Sequence, residues 1–158
     1  MKNSYLSKGK RVDNGEWVFG HYYEFMCKHY IFESPFTSKN LVHEVDPTTV
    51  CRCTGLNDKN GKLIWENDIV ELFGYRGTIK YVCGGFGIGY RENIDWEEIQ
   101  ANIVRVTGCE NILYACENDN YISLWEIYWN FNDEEDSVNT VEVIGNKFDN
   151  PELLESEE

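Results

Sequence analysis

The chain has 158 residues, a formal net charge of −14, 42% hydrophobic and 15% aromatic residues, and no apolar run near the roughly 20 residues that a bilayer crossing takes. A chain of this size buries roughly 70% of its unfolded surface, so disulfide or metal staples are optional. The acidic balance excludes the basic footprint of a direct nucleic-acid binder.

The N-terminal stretch MKNSYLSKGKRVDNGEW lacks the apolar core of a secretory signal, which predicts a protein that stays in the cytoplasm. A reducing compartment makes structural disulfides unfavourable, so the six cysteines are expected as free thiols or metal ligands. Glu16 to Phe25 (EWVFGHYYEF) and His29 to Glu33 (HYIFE) then read as a meander of strands joined through Met26, Cys27 and Lys28, with Ser34 to Asn40 as a loop. Asp46-Pro47-Thr48-Thr49 is a turn in which Pro47 supplies the fixed φ of the second position. In Asp58-Lys59-Asn60-Gly61, Asn60 and Gly61 are placed for the positive φ of a hairpin turn. Lys62 to Trp65 and Ile69 to Phe73 follow as short apolar strands separated by a second reversal at Glu66-Asn67-Asp68.

Gly77 to Tyr90 (GTIKYVCGGFGIGY) gives two more strands around Gly84-Gly85, and Gly87 and Gly89 mark bulging or close backbone approach. Asp95 to Asn102 is the helix candidate: Asn93 or Asp95 can cap it, Glu97 and Glu98 suit its positive end, and Trp96, Ile99 and Ile103 share a face. Ile103 to Val106, Asn111 to Ala115, Tyr121 to Trp129 and Val141 to Ile144 read as strands, with a polar connection from Asn132 to Asn139. Asn150-Pro151-Glu152-Leu153-Leu154 reads as one helical turn, Asn150 capping it and its leucines docking on the sheet.

Four blocks carry a family signature: GKRVDNGEWVFGHY from Gly9, VDPTTV from Val45, TGLNDKNGKLIWENDIVEL from Thr54 and VEVIGNKFDNPELL from Val141. In this order they resemble the YopX family of phage and prophage proteins. The resemblance implies a virus-derived accessory protein with a mostly β fold and no family-wide enzymatic activity. Arg91 to Asn139 has no clear counterpart in it. The fold expected is mainly β: an antiparallel meander plus a small SH3-like partial barrel, with one short helix and a C-terminal helical turn. It forms a single domain over 1–158, with candidate lobes at 1–66 and 67–154 and an acidic tail at 155–158.

Two constellations bear on function. Cys27 and His29, and Cys51 and Cys53, each sit two residues apart, so that within a strand each pair points to one face, and the four side chains match a tetrahedral zinc site in number and type. Members of the family typically carry VGQYTG where this chain has VCRCTG, so Cys51 and Cys53 are a paired departure. The plain alternative is cysteines serving as small core hydrophobes, which is also the expectation for Cys83, Cys109 and Cys116. No nucleophile elbow occurs, and GFGIGY from Gly85 lacks the spacing and lysine of a phosphate loop. His21 and His43 stand alone and read as structural. Catalysis is not expected.

The second constellation is electrostatic. Residues 1–90 hold 11 Lys/Arg against 10 Asp/Glu, whereas residues 91–158 hold 3 against 18. Glu92, Asp95, Glu97, Glu98, Glu117, Asp119, Glu126 and the run Asp133, Glu134, Glu135, Asp136 interleave with Trp125, Tyr128, Trp129 and Phe131, and Trp and Tyr are favoured anchors at interfaces. A solvating surface accounts for acids alone. Acids with aromatics suit docking on the basic surface of a host protein, for example the nucleic-acid channel of a CRISPR nuclease, whose inhibition is the expected outcome. The alternatives are a phage assembly protein acting as a homo-oligomer and a small metal-dependent enzyme.

Overall fold

The structure is a computed structural model that describes residues 5–33, 41–82, 84–91, 94–107, 120–131, 137–138 and 140–155. It is mainly β, with twelve strands among the described residues, and it divides into two compact units, Met1–Gly55 and Leu56–Glu158.

In the first unit, β1 (Ser7–Lys10), β2 (Trp17–Phe25), β3 (Lys28–Glu33) and β4 (Val42–Glu44) form the antiparallel meander. The Val12 amide donates to the Glu44 carbonyl, the Asp46 amide to the Lys10 carbonyl, and Arg11 bridges Val45, so the chain beyond β1 returns to β4 and closes a four-stranded circuit. Its interior is narrow: Val18, Ile31 and Val45 fill it, and a Cβ at Gly9 would sit 3.2 Å from Ile31 and 3.3 Å from Val45. Pro47–Thr49 is a single 3-10 turn capped by the Asp46 carboxylate, which accepts from the Thr48 amide.

β5 (Cys51–Asp58) starts in the first unit, where Arg52 and Cys51 pair with Ser7 and Lys8 of β1, and ends in the second. In the second unit its end pairs with β6 (Leu63–Trp65) and, in parallel, with β11 (Ser137–Val138). The hairpin between β5 and β6 differs from the expected turn: Gly61 takes positive φ (78°) and Asn60 does not. The Gly61 amide donates to the Asp58 carbonyl and the Asp58 amide to the Lys62 carbonyl. These bonds define a type I turn followed by a left-handed residue, which leaves the asparagine in an ordinary conformation.

A five-stranded antiparallel sheet completes this unit: β7 (Asp68–Leu72), β8 (Tyr75–Val82), β9 (Gly85–Gly89) and β10 (Tyr121–Ser123) run as a meander, and β12 (Val141–Asn146) pairs with β7. A last strand that returns to the first of a four-strand meander is the strand order of an SH3-like barrel. Of this unit's two described helices, α1 (Trp96–Thr107) packs against α2 (Leu124–Phe131), which in turn packs on β9 and β10. Ile64, Ile79, Ile88, Ile99, Ile103, Ile122, Leu124 and Ile127 are fully buried in its core, each contributing roughly 1.5–3 kcal/mol of burial.

Three sequence expectations are corrected here. Ile103 to Val106 continues α1 instead of starting a strand, because Ile99 and Ile103 fall one turn apart on the buried face. Tyr121 to Trp129 splits: only Tyr121–Ser123 is strand, and Leu124 onward is helix because Leu124, Ile127 and Tyr128 recur at helical spacing. The turn at Pro151–Leu154 forms, but Asn150 makes no capping hydrogen bond there; its Oδ1 accepts from the Asn146 amide instead. Ser34 to Asn40 and Asn111 to Ala115 lie outside the described residues.

Candidate functional site

Cys51 and Cys53 share one face of β5, as strand alternation requires, and both are buried. The Cys51 thiol donates to the Thr49 carbonyl at 3.2 Å, and the Cys53 sulfur accepts from the Gly55 amide at 3.3 Å. Cys27 is exposed in the turn between β2 and β3, and His29 is the second residue of β3, with Nδ1 2.6 Å from the Tyr22 hydroxyl. The registers show why the pairs stay apart. Cys51 lies level with Lys8 and, one strand further, with Phe19. From Phe19 the hairpin runs six more residues to Phe25, roughly 20 Å at strand rise, before the turn that carries Cys27. The four-ligand zinc site expected from Cys27, His29, Cys51 and Cys53 therefore does not assemble. No group of three or more His, Cys, Asp or Glu able to hold a metal exists among the described residues. Cys83, Cys109 and Cys116 lie outside them.

His43 is buried, with Nε2 3.0 Å from the Glu33 carboxylate, and His21 stacks on Tyr5 with ring centroids 5.4 Å apart. Each has a structural partner.

Part of the acidic and aromatic set is gathered by the second unit. Asp95, Glu97 and Glu98 stand exposed at the start of α1, where the unpaired amides of a helix N-terminus favour negative charge. The Asp95 carboxylate accepts from the Glu98 amide at 3.1 Å, confirming the cap. Glu98 in turn accepts a short hydrogen bond from the Tyr75 hydroxyl, and that carboxylate pushes the phenol up to about 12. Helix α2 presents Trp125, Tyr128 and Trp129 as a run of edge-to-face rings, with centroids 5.5 Å apart at each step. Tyr128 packs on the core, Trp125 and Glu126 are half-buried, and Trp129 is 75% exposed. Helices α1 and α2 touch each other. Glu92, Glu117, Asp119 and Asp133 to Asp136 lie outside the described residues, as does the side chain of Phe131.

A second exposed aromatic surface went unread in the sequence. On β2, Trp17, Phe19, His21, Tyr23 and Phe25 alternate with the buried Val18 and Gly20, and Tyr30 and Phe32 lie level with Tyr23 and His21 on β3. The signal was present as period two. It was concealed because aromatics occupy the outer face and the inner face has room only for small residues.

Both units are mainly β and carry exposed aromatics, Phe19, Tyr23 and Phe25 in the first and Trp129 in the second. Residues 9–155 match the family described as YopX protein. The chain belongs to the YopX family and is a phage or prophage protein. A comparison with curated proteins finds no match. No helix of the described residues is long and apolar enough to cross a membrane.

Proposed function

We propose that this YopX protein is an accessory protein that binds a basic surface of a host protein and inhibits it, the target being a nucleic-acid-handling defence enzyme such as a CRISPR nuclease. The observation that carries this is Trp129: its indole is 75% exposed on α2, within a stretch of chain holding 18 acids against 3 bases. An exposed tryptophan serves neither the core nor solubility, whereas at an interface it is the residue type most often found to dominate affinity. The acids of that stretch attract positive channels built for nucleic acid, which accelerates encounter and competes with DNA or RNA for the same charges.

Affinity purification of the chain from its bacterial host, with mass spectrometry of what it retains, tests the reading. The expected catch is a protein with a basic surface whose retention falls in the Trp129→Ala variant and in Glu97→Lys. A catch unaffected by both variants, or none at low salt, would sink it.

A further inference from the structure

Helix α2 carries its aromatics as a supported ladder. Tyr128 packs on the core of the second unit, and the Trp129 ring stands edge-to-face with it, centroids 5.5 Å apart and planes 76° apart. Trp125, one helical turn before Trp129, makes the same kind of contact with Tyr128 at 81°. The indole of Trp129 is thus braced by Tyr128 while the residue stays 75% exposed, so a broad π surface faces water. A braced ring loses little freedom when something docks on it, which favours binding.

Glu126 precedes Trp129 by three residues on the same helix. Residues at that spacing are neighbours on a helix surface, with Cβ atoms roughly 5–6 Å apart. Glu126 is half-buried, and a carboxylate accepts at about four lone-pair positions, so contacts within the chain leave it able to accept an incoming donor.

Chemistry narrows what fits an indole face with a carboxylate beside it. A purely apolar pocket closing over Trp129 would strip water from Glu126 without giving it a partner, which is costly. An anion is repelled, since residues 91–158 hold 18 acids against 3 bases. A cation remains. Of the two that a basic protein surface offers, lysine's ammonium is compact and strongly hydrated, whereas arginine's guanidinium is planar, weakly hydrated and forked. It can lay its plane on the indole and turn its edge to the carboxylate at once.

From these observations we infer that Trp129 and Glu126 together form a receptor for one arginine side chain of the partner, its guanidinium stacked on the indole and its N–H groups donating to the carboxylate. The inference rests on the reading that the chain binds a basic host surface, and it adds the selectivity: arginine-lined surfaces are preferred over lysine-lined ones of equal charge. Tyr128 is then a positioning residue that holds the indole in place.

Fluorescence anisotropy of labelled hexa-arginine and hexa-lysine peptides titrated with the full chain at low salt tests this, with circular dichroism checking the fold of each variant. Wild type should bind hexa-arginine more tightly than hexa-lysine. Trp129→Ala should lower the affinity for hexa-arginine roughly two- to fivefold and leave hexa-lysine almost unchanged. Trp129→Leu, which keeps apolar bulk without a π face, should lose as much as Trp129→Ala, whereas Trp129→Phe should recover part of the loss. Glu126→Gln should also weaken hexa-arginine. No binding of hexa-arginine, equal affinity for the two peptides, or full affinity in Trp129→Leu overturns the proposal. Capture of a host protein fails separately: a partner lost in Trp129→Ala and regained in Trp129→Leu keeps the host-binding reading and refutes the arginine receptor. Arginine selectivity without any captured host protein refutes that reading and upholds the receptor.

Discussion

Removing one carboxylate should loosen the whole second unit. Asp58 is almost fully buried; its Oδ1 accepts from the amides of Asn60 at 2.9 Å and Lys62 at 2.8 Å, and its Oδ2 from the amide of Val143 at 2.9 Å. It therefore pins the β5–β6 turn and ties it to β12, 85 residues later in the chain. Asp58→Ala leaves these amides without their acceptor. Hydrogen bonds to a charged group contribute roughly 1.5–3 kcal/mol each, and because two of the amides lie in a turn that water can reach, the sum is incomplete: about 4 kcal/mol in total. That corresponds to a fall in melting temperature of roughly 8–16 °C. Asp58→Asn keeps an acceptor for the turn but sets an amide donor against the Val143 amide, so it should cost less, about 2 kcal/mol. Thermal and denaturant unfolding followed by circular dichroism gives the order wild type, Asn, Ala. An Asp58→Ala stability within about 0.5 kcal/mol of wild type would refute the reasoning.

Further outcomes follow from other contacts. Gly20→Ala should break the β2–β3 ladder, since its Cβ would lie 1.9 Å from the Phe32 carbonyl oxygen, and a loss of roughly 2–3 kcal/mol or failure to fold is expected in denaturant titration. Asp95→Ala, which removes the cap on the Glu98 amide, should cost about 1 kcal/mol of helix stability in the same assay. Tyr75 should ionise near pH 12 instead of its ordinary 10.0, and Glu98→Gln should bring it back towards ordinary in a spectroscopic titration. Because the folded state holds this proton more tightly than the unfolded one, its contribution to stability is complete below pH 10 and is lost as pH rises to about 12.

The strands were legible in the sequence wherever a turn residue or period-two pattern marked them, as at Asp46-Pro47, Asp58 to Gly61 and Gly84-Gly85. Leu124 to Phe131 was not, because its aromatic richness mimics a strand and only the Leu124, Ile127 and Tyr128 spacing betrays the helix. Cys51 and Cys53 were legible as a same-face pair, but Cys27 lies in a turn and not in a strand with His29, and the distance from Cys51 to Cys27 is set by how far β2 outruns β1, a property of register that a single strand cannot reveal. Charge asymmetry was readable directly by counting.

The most direct test of the central claim is the salt dependence of binding to the host protein that the chain retains. The account predicts that affinity for wild type falls steeply as ionic strength rises through the range where the Debye length drops below about 10 Å. It also predicts that Trp129→Ala weakens binding by tenfold or more at every salt concentration. A partner held equally well in low and high salt, and indifferent to Trp129, would contradict it.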